Sequence, residues 1–293
     1  MKDLLSTLAE RVVIGDGSVG ATLFSRLGNI YGTSEEFNLH NPDGVRQLHA
    51  DYVSAGAELI TTNTFTANRL SLAHAGLESR TSELNRVAVS LAREAAGDRA
   101  WVVGSVGPTG RLLVPLGDLT EEQARDVYAE QVVALAAAGA DVIAVETMSA
   151  LEEARAAVDA VRQNTNLPVA VSFTIDANLR TMMGTTVEQF VAAALEWGAD
   201  IIGTNCGVGP DEVEQVLLRM AAAAPGAFLW GEPNAGLPRL DGEAVVYDLG
   251  PDRFADYAET AVKNGARVVG SCCGSTPEHT RAMVDRLRTM AGG

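Results

Sequence analysis

The chain has 293 residues, of which 47% are apolar, 20% charged and 5% aromatic. That length lies between one α/β barrel of about 250 residues and two ordinary domains, and the mixture excludes a disordered or low-complexity chain. Against 22 Lys plus Arg stand 38 Asp plus Glu, a formal net charge of −16. Such a field repels phosphate backbones and anionic headgroups, so no nucleic acid and no membrane partner is expected.

At the N-terminus, Lys2, Asp3, Glu10 and Arg11 interrupt any apolar leader. The longest uncharged apolar stretch, Val132 to Ala140, is about half the ~20 residues that a spanning helix needs. A cytoplasmic protein is expected.

Eight short apolar runs follow one another along the chain: Val12–Gly15, Glu58–Thr62, Trp101–Ser105, Asp141–Glu146, Pro168–Phe173, Asp200–Thr204, Ala227–Gly231 and Arg267–Gly270. They lack polar alternation, as parallel strands buried on both faces do. Segments of helical period lie between them, clearest at Glu121–Ala137, Ala150–Arg162, Val187–Trp197 and Pro251–Asn264. A last helix begins at Ser275-Thr276-Pro277-Glu278, where a capping hydroxyl precedes proline and an acid.

An internal echo supports the count. Gly56-Ala57-Glu58-Leu59-Ile60 recurs at Gly139, Gly198 and Gly265, each time a helix-stopping glycine running straight into a strand. The copies fall about two βα units apart and mark strands two, four, six and eight. With no Pro- or Ser-rich linker between units, the expectation is a single (β/α)8 TIM barrel over residues 1–293, of class α/β.

In such a barrel the chemistry sits on the loops after the strands. The strand ends here carry Asp16, Asn63, Ser105, Glu146, Ser172, Asn205 with Cys206, Glu232 with Asn234, and Cys272 with Cys273. All three cysteines of the protein follow strands six and eight. Three thiolates at one rim can hold Zn²⁺ in three corners of a tetrahedron, with the fourth corner open for a thiol that the ion would activate. Two plainer readings stand beside it: cysteine as buried filler, and a vicinal disulfide of Cys272 with Cys273.

His40, His49, His74 and His279 show no metal spacing. Gly15-Asp16-Gly17-Ser18-Val19-Gly20 lacks the Lys-Ser/Thr of a phosphate loop, so Asp16 is read as aimed into the mouth, with a helix cap as its alternative. Glu146 is read as a second carboxylate for a substrate ammonium, against a purely loop-bound carboxylate.

These residues resemble the homocysteine S-methyltransferase family nearly end to end. The likeness rests on Asp16-Gly17-Ser18-Val19-Gly20, Thr62-Asn63-Thr64-Phe65, Gly104-Ser105-Val106 with the turn Gly107-Pro108-Thr109-Gly110, Glu146-Thr147, Gly203-Thr204-Asn205-Cys206, Glu232-Pro233-Asn234-Ala235-Gly236 and Gly270-Ser271-Cys272-Cys273-Gly274-Ser275-Thr276-Pro277-Glu278-His279. The Glu-Pro-Asn-Ala-Gly stretch and that turn look most like the N-terminal barrel of cobalamin-dependent methionine synthase.

The resemblance implies Zn²⁺ on Cys206, Cys272 and Cys273, and homocysteine joining as a further ligand. It implies Asp16 and Glu146 as catalytic residues that hold the amino end of homocysteine, with Gly17 and Ser105 lining the same pocket. Asn234 would fill the vacant corner at rest. The first loop departs from the pattern, with Ser18-Val19-Gly20-Ala21 where many relatives show Ala-Met-Gly-Thr. Since a barrel accounts for the whole chain, the methyl donor is expected to be a small molecule or a separate corrinoid protein. Methylation of another thiol, and a non-catalytic zinc or thiol sensor, are the competing readings; oligomeric state is left open.

Overall fold

In a computed structural model, which describes residues 2–28, 30–242 and 244–291, the eight apolar runs form eight parallel strands. We label them β1 (Val13–Ile14), β2 (Leu59–Thr61), β3 (Trp101–Val106), β4 (Val142–Met148), β5 (Val169–Phe173), β6 (Ile201–Asn205), β7 (Phe228–Glu232) and β8 (Ala266–Val269). The hydrogen-bonded order β1-β8-β7-β6-β5-β4-β3-β2 leaves only β1 and β2 to meet. They do so through a bridge between Gly15 and Leu59, with the Glu58 N–H donating to the Ile14 carbonyl at 2.8 Å and the Asp16 N–H to the Leu59 carbonyl at 3.1 Å. The sheet is a closed (β/α)8 barrel.

The strands are buried because their residues serve two cores. Toward the axis, Val13, Leu59, Trp101, Val103, Val142, Ala144, Ala170, Ile201, Trp230 and Val268 pack into one cluster. Leu4 and Leu8 of the Leu4–Glu10 helix join it from the end where the strands begin. Asp3 caps that helix, accepting from the Ser6 N–H at 2.9 Å. Toward the outside, strand residues such as Ile60, Val102, Ile143 and Ile202 pack against the helix ring in the larger core.

Crossover helices run Pro42–Ala55, Thr81–Ala96, Glu121–Ala137, Leu151–Asn164, Val187–Glu196, Pro210–Ala223, Pro251–Lys263 and Pro277–Ala291. Two start with complete capping boxes, Thr120 with Gln123 and Thr186 with Gln189, in which each pair satisfies two otherwise orphaned backbone N–H groups. The echo has a mechanical cause at Gly56: its φ of +105° closes the Pro42–Ala55 helix and turns the chain into β2. Gly139, Gly198 and Gly265 repeat that left-handed turn before β4, β6 and β8.

Strand boundaries differ from the expectation by one or two residues. Two features were not foreseen. The loop after β1 carries extra pieces, Gly20–Leu27 and Phe37–His40, before its crossover helix, and a small antiparallel hairpin, Arg239–Asp241 with Ala244–Val246, follows β7. Its strands are three residues long, with Leu240 and Val245 largely exposed, so they carry no core-facing period to read. Among the described residues no helix is long and apolar enough to cross a membrane.

Candidate active site

At the end of β6 the chain turns at Cys206 with φ +59°, a conformation that side-chain-bearing residues adopt rarely and chiefly where function demands it. The Cys206 N–H donates to the Glu232 carbonyl at 3.0 Å, which ties this turn to the end of β7. After β8, the Cys272 N–H donates to the Pro233 carbonyl at 2.8 Å and the Ala235 N–H to the Cys273 carbonyl at 2.9 Å. The segment after β7 therefore laces together two cysteine-bearing loops from strands that are not neighbours.

The result is a cluster in which the Cys206, Cys272 and Cys273 sulfurs all lie within 4.8 Å of one another, with Cys206 to Cys273 at 3.8 Å. All three are free thiols, which removes the vicinal-disulfide reading in this state. A tetrahedral Zn²⁺ with Zn–S near 2.3 Å requires S–S edges of about 3.8 Å, so the spacing and the soft donor set fit that ion. Without a cation the cluster can hold little negative charge. S–H donation from Cys272 and Cys273 pulls the Cys206 thiol down, while their bonding to Cys206 and burial push those two up.

Facing the sulfurs across a cavity of about 280 Å³ are three carboxyls, Asp16 and Glu232 buried and Glu146 half-buried. Asp16 accepts from the Thr61 N–H and hydroxyl, both at 2.8 Å, so it points into the mouth; the helix that follows starts at Gly20 and has no side-chain cap. Glu146 accepts from the Ser105 hydroxyl, and from the Asn205 amide at 3.3 Å. Burial drives both carboxyls up to about 7, against these hydrogen bonds, which favour the charged form. Glu232 is likewise pushed well above the usual carboxylate range, by burial first and then by the charges of Glu146 and Asp16.

Gly17 is fixed by space: a Cβ there would lie 2.4 Å from the Ser275 hydroxyl and 2.8 Å from that of Ser271. Ser105, Glu146 and Gly17 all line the cavity. Asn234 is placed differently from the other residues singled out, because its Oδ1 accepts from the Cys273 N–H at 3.1 Å, while the residue itself stays off the cavity wall. His279 is bound on both ring nitrogens, to the Thr276 N–H at 3.1 Å and the Leu249 carbonyl at 2.9 Å, and serves to hold loops.

A family model described as homocysteine S-methyltransferase matches residues 13–287. The chain belongs to the homocysteine S-methyltransferase family.

Within this family the chain is 33% identical to methionine synthase of Mycobacterium leprae and 32% identical to that of Mycobacterium tuberculosis, each over 95% of its length. It spans about a quarter of those longer relatives, 24% and 25% respectively. The metallated homocysteine methyltransferase MmuM of Escherichia coli superposes with a TM-score of 0.81 at 25% identity, over 96% of this chain and 98% of the other. Its apo form superposes at 0.75 and 24% identity.

Two members of the site escaped the sequence reading. Glu232 stood among the strand-end residues without a role, although its place beside Asn234 was a usable signal. Tyr247 carried no signal: it follows the short hairpin, and only the fold lays its ring on Gly274, the residue after Cys273.

Proposed function

We propose that this homocysteine S-methyltransferase family member is a zinc-dependent enzyme that transfers a methyl group to homocysteine and releases methionine. The observation that carries the reading is the opposition of three sulfurs and three carboxyls across one amino-acid-sized cavity. Cys206, Cys272 and Cys273 would hold Zn²⁺, which when bound keeps thiols deprotonated and lowers the pKa of a substrate thiol to give a nucleophile at neutral pH.

The protein's own residues set the geometry. Asp16 and Glu146 ionise against the α-ammonium of homocysteine, whose charge offsets the burial that favours their protonated form. Thr61, Ser105 and Asn205 fix where those carboxylates point. Gly17 leaves room for substrate backbone atoms beside Asp16. With the amino end anchored there, the thiol reaches toward the cysteine wall, its proton passing to solvent. Its sulfur then forms the S–CH3 bond as the bond from that carbon to the donor breaks, and the electron pair leaves with the donor. Holding both partners in line supplies much of the rate.

The donor we propose is a small methyl compound or a methyl-corrinoid carried by a separate protein. The test incubates zinc-loaded protein with homocysteine and, in parallel, S-methylmethionine, betaine, methylcobalamin or methyltetrahydrofolate, then quantifies methionine. Methionine from any one of them supports the reading; methylation of a different thiol with none of homocysteine overturns the substrate.

A further inference from the structure

Strand β4 ends irregularly. Val145 pairs with Val171 of β5 and Met148 with Phe173, so Glu146 and Thr147 together stand opposite Ser172 alone. An extra residue of this kind is a β-bulge, which re-aims side chains and is common beside active sites. Here it sets two consecutive residues, Glu146 and Thr147, on the cavity wall before Met148 returns to the outer core. Thr147 has φ +60°, an outlier for a β-branched residue. Such a conformation is costly and persists only where its surroundings hold it.

What holds it is Asn205, the buried last residue of β6, one strand beyond β5. Its Oδ1 accepts from the Thr147 N–H at 2.9 Å and from the Ser172 hydroxyl at 2.7 Å. Its Nδ2 donates to the Thr147 hydroxyl at 2.8 Å and to the Glu146 carboxylate at 3.3 Å. Every donor and acceptor position of the amide is thereby used on the bulge and the strand opposite it. Among the described residues, three other than glycine have positive φ: Thr147, Leu179 and Cys206. Two of these meet at Asn205, which grips Thr147 and runs directly into Cys206. A single side chain therefore links the acid on one wall of the cavity to the first sulfur on the other.

We propose that Asn205 is a positioning residue for the methyl acceptor: its amide clamps the β4 bulge at Thr147 and so sets the Glu146 carboxyl at a fixed place relative to the Cys206 turn. The proposal rests on the reading of Glu146 as the group that meets the homocysteine ammonium. Without the amide, Thr147 relaxes toward negative φ and the carboxyl one residue earlier leaves its line. Cys206 keeps its own tie, from its N–H to the Glu232 carbonyl, so the sulfurs stay together. Glycine adopts positive φ at no steric cost, so Thr147→Gly removes the strain and with it the need for the clamp.

The experiment is a double-variant cycle of Asn205→Ala and Thr147→Gly, with Ser172→Ala as a milder loosening of the same amide. Each zinc-loaded protein is assayed for KM and kcat with homocysteine and whichever donor supports methionine formation, for bound Zn²⁺ by atomic emission, and for melting temperature by circular dichroism. Asn205→Ala should raise the KM about 10-fold with Zn²⁺ content retained, as expected for a lost hydrogen-bonded anchor. In the Thr147→Gly background the same change should raise it by less than about 3-fold, and should lower the melting temperature less than it does beside Thr147. Equal ratios and equal melting shifts in the two backgrounds overturn the clamp. Loss of Zn²⁺ with an unchanged KM places Asn205 with the sulfurs and overturns its role toward the acceptor. Should Asn205→Ala not fold, Ser172→Ala with and without Thr147→Gly carries the same comparison. If no donor yields methionine from wild type, the functional reading fails, and the melting shifts still decide the clamp.

Discussion

The two ends of the barrel are built from the same strands under opposite rules. Where the strands begin, Val13, Leu59, Trp101, Val142, Ile201 and Val268 close on Leu4 and Leu8, and the cluster is apolar throughout. Where they end, β1, β4 and β7 deliver Asp16, Glu146 and Glu232, and β6 and β8 deliver the three sulfurs. One end gains stability by burying what water rejects; the other gives some up by burying what water would keep. Changes at the two ends should therefore separate cleanly.

The largest effect should come from Cys206→Ser, which leaves two sulfurs: bound metal, measured by atomic emission, should fall to background, and methionine formation should drop below detection. A stoichiometric metal retained in that variant would break the comparison at the mouth. At the other end, Leu8→Ala should lower unfolding free energy in urea by about 3 kcal/mol, the usual cost of truncating a buried leucine, with the KM for homocysteine unmoved. A large rise in that KM would show the ends to be coupled.

Glu146→Gln sharpens the contrast, since it keeps the shape and removes the charge. It should raise the KM for homocysteine by about 10- to 100-fold, in line with loss of a charged hydrogen bond of about 1.5–3 kcal/mol, while leaving metal content intact. Homocysteine binding unaffected by that change would remove Glu146 from the ammonium site.

The pH dependence has a definite sign. Asp16 and Glu146 have folded pKa values raised to about 7, above their ordinary values near 4, so the substrate-free fold binds more protons than the unfolded chain between those limits. Stability should fall as pH rises through that window and level off above it, and Glu146→Gln should flatten the slope in melting curves. The smallest expected effect is at a helix start outside the cavity lining: Thr120→Ala removes one capping bond and should cost about 1 kcal/mol in the same urea titration.

The chain order shows how far residues alone could be read. Eight strands and their helices were legible because a doubly buried strand must be apolar along its length and a helix must turn over at glycine, as at Gly56 and Gly139. Asp16, Glu146 and the cysteines were legible as polar residues standing where an apolar run stops. The role of Glu232 was hidden because the effect of one acid on another depends on distance, which sequence does not carry. Asn234 was visible, but its direction was not: the choice between open cavity and the Cys273 N–H is made by the lace. Tyr247 was invisible, since its neighbour Gly274 belongs to a loop 27 positions later.

The barrel is closed where its strands are shortest, β1 having two residues and β2 three. At that seam the Thr61 N–H finds no backbone carbonyl across the gap and takes the Asp16 carboxylate instead. The side chain assigned to a substrate's positive charge is thus also a rivet in the wall. Removing it outright, as in Asp16→Ala, would loosen the hoop as well as empty the pocket, whereas Asp16→Asn keeps an oxygen for Thr61 and isolates the charge.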